Sequence, residues 1–211
     1  MNTGPERFKS LLNVSRETID TVKIYESLLR KWNPAINLVS KSTLDDIWSR
    51  HFLDSAQIWQ LRPPEATTWL DLGSGGGFPG LVISVLAKEQ APDLKVTLVE
   101  SDIRKATFLQ NASREMGVSP DIFTQRVENL HSQAADVISA RALAPLPKLL
   151  SYADRHTKNG TICLFSKGEN YESELTEAQK SWTFNFQKTP SITSSGGIIL
   201  RIGDIGRVRP Q

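Results

Sequence analysis

The stretch from Thr67 to Gly80, T-T-W-L-D-L-G-S-G-G-G-F-P-G, constrains this chain more than any other. A β-branched and apolar run reaches Asp71 and gives way to glycines at Gly73, Gly75, Gly76, Gly77 and Gly80. The residues that follow, L-V-I-S-V-L-A-K, have the composition of a buried helix. Strand, glycine turn and helix in that order form the opening unit of a doubly wound, nucleotide-binding sheet. Gly75-x-Gly77-x-x-Gly80 matches the dinucleotide fingerprint, but glycines let any ligand approach the backbone. Glu100, at the end of the second expected strand, suits a ribose hydroxyl pair. It lies 27 residues past Gly73, beyond the roughly 20 of the dinucleotide pattern. Asp71 bears on the choice of ligand: a carboxylate at the crevice would repel a pyrophosphate and favour an amino group or a sulfonium. The alternative is that Asp71 accepts backbone N–H bonds within the turn.

The rest of the chain fits an α/β protein. From about Ser10 to Leu61 the pattern is helical, with a loop expected at Trp32–Asn37 because Pro34 disfavours helix at Asn33. A second helix is expected from Leu44, capped by Ser42 or Thr43, with Leu44, Trp48, Phe52, Ala56 and Trp59 facing a core. Ile47, His51, Asp54, Ser55 and Ile58 form a more polar row beside them. Arg62-Pro63-Pro64-Glu65 marks the expected boundary between a helical extension (1–62) and the main unit (63–211). Strands are expected at Thr67–Leu72, Lys95–Glu100, Asp121–Gln125, Ala135–Ser139 and Thr161–Phe165, with a late antiparallel pair at Thr183–Lys188 and Gly197–Ile202. Helices are expected at Pro79–Gln90, at Glu172–Lys180, and from Ser101 or Asp102 to Gly117, the last burying Ile103, Phe108, Leu109, Ala112 and Met116. Such alternation implies a mainly parallel seven-stranded sheet with helices on both faces.

Composition excludes little. The net charge is +2, so any nucleic-acid partner must be argued from local patches. One cysteine, Cys163, in the apolar run T-I-C-L-F, supports neither a disulfide framework nor a zinc site and fits a reducing compartment. No signal-peptide pattern or membrane-length apolar run is present, and the protein is expected to be cytoplasmic and monomeric, with no membrane partner. No H-E-x-x-H, G-x-S-x-G or Walker pattern occurs, and no catalytic acid or base is nominated.

L-D-L-G-S-G-G-G-F-P-G-L (Leu70 to Leu81) resembles the methyl-donor motif of the bacterial small-subunit ribosomal RNA guanine-N7 methyltransferases, the methyltransferase G or glucose-inhibited division protein B family. W-N-P-A-I-N-L-V-S (Trp32 to Ser40), R-H-F-L-D-S (Arg50 to Ser55), R-V-E (Arg126 to Glu128), S-A-R-A-L-A-P-L (Ser139 to Leu146) and Lys167-Gly168 follow the family's order. The resemblance covers roughly Trp32 to Gly168. It implies a Rossmann-like, S-adenosylmethionine-dependent methyltransferase fold that acts on 16S rRNA or an immature small ribosomal subunit. It also implies that Gly73 and Phe78 contact S-adenosylmethionine, that Val127 and Glu128 hold the adenine edge, and that Arg141 stands at the active-site mouth. With Gly75 of the turn and Glu100 at the ribose, these make up the expected cofactor site. His51, Lys167 and Arg207 are the expected RNA-facing residues, with Arg201 and Arg209 as further phosphate contacts. Two other readings remain open at this point: an NAD-dependent oxidoreductase on the same sheet, and a non-catalytic RNA-binding module.

Overall fold

The computed structural model describes residues 4–208. Its first third is helical, with α1 (Gly4–Leu12) and α2 (Arg16–Ile36). Ser15 caps α2 by accepting the Thr18 N–H at 3.1 Å. Glu89 clamps the same end, accepting from the Ser15 N–H at 2.9 Å and from the Thr18 hydroxyl. The loop expected at Trp32–Asn37 does not form, because α2 runs through Pro34. Pro34 lies in the last turn, where its missing N–H forfeits a single rung of the ladder. The helix stops at Asn37, which takes the left-handed conformation (φ 48°) and donates its N–H to the Asn33 carbonyl at 3.0 Å. Buried Asn33 then accepts the Val39 N–H on its Oδ1 at 2.8 Å, fixing the exit of the chain.

The single helix expected from Leu44 is likewise replaced, by shorter and irregular turns. A 3-10 turn at Lys41–Thr43 and a π-helical turn at Trp48–Leu53 lead into one α-turn, α3 (Asp54–Ala56), and a second 3-10 stretch at Gln57–Leu61. Thr43 caps no helix; its hydroxyl donates to the Ser40 carbonyl at 2.7 Å. The changes of pitch turn both rows of side chains inward: Phe52, Ala56 and Trp59 are buried, and so are Ile47, His51, Ser55 and Ile58. π-turns of this kind recur at functional sites because they re-aim side chains without ending the helix.

The sheet follows with β1 (Thr68–Leu72), α4 (Gly80–Gln90), β2 (Lys95–Val99), α5 (Ile103–Met116), β3 (Asp121–Phe123) and β4 (Val137–Arg141). It is completed by α6 (Leu146–Asp154), β5 (Ile162–Lys167), α7 (Tyr171–Gln179), β6 (Trp182–Pro190) and β7 (Ile198–Arg207). The strand order is β3-β2-β1-β4-β5-β7-β6, parallel through β5, with β7 antiparallel to both β5 and β6. α6 is the element that sequence periodicity did not reveal. Asp102 caps α5 by accepting the Arg104 N–H at 2.8 Å, and Gly117 ends it at φ 63°. Ile103, expected in the core, is 73% exposed. At about 100° per residue it stands almost opposite the stripe of Phe108, Leu109, Ala112 and Met116.

Alternate residues of the strands feed two cores. Trp69, Val96, Leu98 and Leu164 pack with α1, α2, α4 and α5, while Leu70, Leu72, Val99 and Phe165 pack with α6 and α7. α4 is buried from Gly80 to Ala87, which explains its near-continuous apolar run; each Leu, Ile or Val there contributes about 1.5–3 kcal/mol. Tyr25 and Phe52 of the helical region belong to the same cluster as Phe78 and Leu81, so these helices form part of the wall around the glycine turn. Cys163 is fully buried, and burial pushes its thiol well above its ordinary range.

Candidate active site

In this sheet order β1 and β4 are neighbours whose connections lead to opposite edges, and the crevice beyond their carboxyl ends is where such sheets take ligands. Two adjoining cavities open there, of ≈ 360 and ≈ 660 Å³. They share Leu38, Arg141, Ala142 and Leu143.

The smaller cavity is built on the glycine turn. Gly73 and Gly75 hold left-handed backbone at φ 67° and 56°. A methyl on Gly73 would fall 2.5 Å from Leu143 Cδ1, whereas one on Gly75 would meet nothing nearer than the Gly73 carbonyl at 3.9 Å. Glu100 is buried at 8% exposure. Its Oε2 accepts the Gly75 N–H at 2.8 Å and its Oε1 the Asp102 N–H at 2.7 Å, leaving a lone pair on each oxygen for a diol. Val127 and Glu128 form the far wall, where Glu128 accepts from the Tyr152 hydroxyl at 3.0 Å. Gly73, Gly75, Phe78, Glu100, Val127, Glu128 and Arg141 all line this one cavity.

Asp71 does not. It alternates with Leu70 and Leu72 and so faces α4, fully buried. Its Oδ2 accepts the Gly80 N–H at the start of α4 at 3.1 Å, and its Oδ1 accepts from the Ser139 hydroxyl at 2.7 Å. Ser139 in turn accepts from Trp69 Nε1 at 2.8 Å. Burial pushes the Asp71 carboxyl up to about 6, against the pull of Ser74, Ser139, Gly80 and Arg141. It shapes the turn from beneath, so the expectation of a crevice carboxylate meeting a cationic ligand is corrected.

Arg141, at the end of β4, stands between the two cavities. Its Nη1 donates to the Arg50 carbonyl at 3.1 Å and to Asp54 Oδ2 at 3.2 Å, its Nη2 donates to His51 Nδ1 at 3.0 Å, and its guanidinium lies 4.8 Å from the Phe78 ring centre. Arg141 therefore pairs with Asp54. His51 accepts on Nδ1, so its proton sits on Nε2 and is donated to Thr43 Oγ1 at 2.7 Å. Burial first, then the charges of Arg141 and Arg50, lower the imidazole to about 3. His51 is thus neutral at pH 7, with both ring nitrogens engaged.

A family model described as rRNA small subunit methyltransferase G matches residues 18–199. The chain belongs to that family. Ribosomal RNA small subunit methyltransferase G of Cereibacter sphaeroides is 50% identical over 197 residues, covering 93% of this chain and 95% of that protein. The protein of the same name from Ruegeria pomeroyi is 46% identical over 197 residues, covering 93% and 96%. Among solved structures, an O-methyltransferase from Bacillus cereus in complex with SAH superposes with a TM-score of 0.59 at 12% identity, over 93% of this chain and 94% of that one. A ribosomal protein L11 methylase from Lactobacillus delbrueckii subsp. bulgaricus gives 0.57 at 17% identity, over 71% and 76%. These two share the fold. This methyltransferase G family member is an S-adenosylmethionine-dependent methyltransferase, and the NAD-dependent oxidoreductase and non-catalytic readings fall away. The smaller cavity suits a nucleoside-bearing donor: the turn is open beside Gly75, and Glu100 is poised with unused lone pairs.

In this family member the larger cavity is assembled from distant parts of the chain. Asp54 and Gln57 hold the tip of the β6–β7 hairpin, Asp54 Oδ1 accepting from Thr193 Oγ1 at 2.7 Å and Gln57 Oε1 accepting the Ile192 N–H at 2.9 Å. Lys167, expected on a phosphate, has a side chain only 8% exposed; it pairs with Glu174 and donates to the Ala144 carbonyl at 3.2 Å. Gln57, Glu174 and Thr193 carried no sequence signal, because nothing in their local pattern separates them from exposed polar residues. Arg201 stands mid-strand opposite Leu164. Arg207 is not brought to the mouth: β7 places Ile198 beside Lys167 and Arg207 beside Trp182, on the order of 30 Å further along the strand. Arg209 lies outside the described residues. Among the described residues no helix is long and apolar enough to cross a membrane.

Proposed function

We propose that the protein methylates N7 of a guanine in small-subunit ribosomal RNA, with S-adenosylmethionine in the smaller cavity and the acceptor base in the larger one. The observation that carries this reading is the pair of adjoining cavities parted by Arg141 and Leu143 in a chain of this family. Gly73, Gly75 and Phe78 would cradle the donor, Glu100 would accept from its ribose, and Val127 and Glu128 would flank its base. When bound, the donor supplies a methyl on a sulfonium; the N7 lone pair forms the new bond as the carbon–sulfur bond breaks, and the positive charge passes to guanine.

N7 carries no proton, so the chain's residues have to align and stabilise rather than abstract. The neutral, fully engaged His51 supports a reaction without a general base. Arg141, held by Asp54, His51 and Phe78, would fix the partition between donor and acceptor. The partner is 16S rRNA or an immature small subunit. An A-form groove hides N7, so the target base would have to be presented from an accessible segment. The test is transfer of labelled methyl to rRNA and to immature subunits from a strain lacking this enzyme, with the modified nucleotide mapped. Incorporation at a guanine N7 is expected, and no incorporation into either substrate would sink the assignment.

A further inference from the structure

One ion pair in the larger cavity is used by nothing above. Lys167 stands one residue beyond Ser166, the register partner of Arg141, and so at the same end of the sheet as the wall between the cavities. Its ammonium donates to the Ala144 carbonyl at 3.2 Å and to Glu174 Oε2, leaving a third proton. The same Oε2 accepts the Leu146 N–H at 2.7 Å. Glu174 Oε1 has no partner among the described residues, although its side chain is only 25% exposed and lines the cavity. Asp54, the other carboxylate lining that cavity, has both oxygens engaged: Oδ1 accepts from Thr193 and Gln57 at 2.7 and 2.9 Å, and Oδ2 from Arg141 at 3.2 Å.

Glu174 Oε1 thus faces the cavity free to accept, beside an ammonium with a proton to donate, and a ligand offering donors to the one and an acceptor to the other would complete both. The Watson–Crick edge of guanine is that complement, since N1–H and the exocyclic amine donate while O6 accepts. Adenine presents a bare N1 and no carbonyl there. We propose that Glu174 and Lys167 read the acceptor base as guanine, Glu174 Oε1 accepting from the N1–H and amine and Lys167 donating to O6. This rests on the guanine-N7 reading above. Leu146, at the first position of α6, holds the carboxylate through its N–H, so the reader is aligned before the base arrives. A site built to bond a polar group rejects a base lacking it strongly, because its own groups are then left unpaired.

The experiment compares small-subunit rRNA carrying guanosine or inosine, which lacks the amine, at the nucleotide that the wild type modifies. Wild-type kcat/KM should favour guanosine by roughly 10- to 100-fold. Glu174→Gln should slow transfer to guanosine and shrink that ratio towards one, with affinity for S-adenosylmethionine unchanged by calorimetry. Equal slowing on both bases with the ratio intact would reduce Glu174 to a structural brace and overturn the proposal, as would a wild-type ratio near one. Should Glu174→Gln fail to fold, Glu174→Asp, which keeps the charge but withdraws the oxygen, is judged by the same ratio. Mapping of the wild-type product comes first: methyl on a base other than guanine would overturn the underlying reading together with this one.

Discussion

The two cavities are built by different means. The smaller is defined by backbone: the left-handed turn at Gly73 and Gly75, amide groups engaged by Glu100, and the short stretch around Val127. The larger is defined by side chains from four distant segments, with Asp54, Arg141, Glu174 and Thr193 meeting only because the fold brings them together. A backbone site tolerates little change at its turn residues. A side-chain site can be altered one hydrogen bond at a time.

Gly73→Val should produce the largest effect. A β-branched residue at φ 67° is strained, and its Cβ would press on Leu143 at 2.5 Å; together these cost about 3–5 kcal/mol. Urea unfolding should show that loss, and calorimetry should find no S-adenosylmethionine binding. Gly75→Ala separates fold from ligand. It should cost only about 1–2 kcal/mol of left-handed strain, because no protein atom comes within 3.9 Å of the new methyl, yet weaken the cofactor by tenfold or more. A Gly75→Ala protein with normal cofactor affinity would put the donor elsewhere.

Arg141→Ala should come next and strike both cavities. It leaves Asp54 Oδ2 and His51 Nδ1 without their shared donor, at about 3 kcal/mol of stability, and lowers methyl transfer about 100-fold. Arg141→Lys keeps the charge but not the fork, so it should recover stability more than turnover. Full recovery of both would show that only the charge of the partition matters.

The pH dependence sets one region against the other. His51 is lowered to about 3 in the folded protein, from an ordinary value near 6.5. Between those values the unfolded chain binds the proton and the native one does not, so stability falls as pH drops from about 6.5 towards 3. Asp71, raised to about 6, does the opposite: the native state holds the extra proton between about 4 and 6, and stability falls as pH rises through that window. His51→Gln should therefore reduce the stability lost between pH 7 and pH 4.5 by about 2 kcal/mol, read from urea unfolding at both pH values. An unchanged acid slope would mean that His51 is not held neutral by its surroundings.

These contrasts also explain what could be read from the chain. The glycine turn, the mainly parallel sheet with its late antiparallel pair and the position of Glu100 are legible because each follows from a local pattern and its place at a strand end, whereas Val127 and Glu128 are reached only through the family resemblance. For Asp71 the alternative of a turn carboxylate holds in its bond from the Gly80 N–H, but its second partner, Ser139, is not legible because it comes from another strand 68 positions away. The irregular run from Lys41 to Leu61 escapes a helical template because a π-turn shifts the register of every side chain after it. Pro34 misleads for the converse reason: one missing hydrogen bond in a last turn is outweighed by the Asn33–Val39 bond that closes the helix. Glu174 is invisible because seven residues after Lys167, on a charged helix, it looks like any solvated acid.

The smallest effect should come from Arg207, and it decides how far the acceptor surface extends. The guanidinium of exposed Arg207 lies 3.9 Å from the ring centre of buried Trp182, a stacking worth about 0.5–1 kcal/mol with the cation open to solvent, at the end of β7 away from both cavities. Arg207→Ala should lower stability by no more than that amount and leave methyl transfer to rRNA within twofold. A several-fold rise in KM for RNA with kcat unchanged would mean that the RNA runs along β7 past the far edge of the sheet. The acceptor would then be gripped over a length about that of the strand, on the order of 30 Å, rather than only at the mouth formed by Arg141 and Lys167.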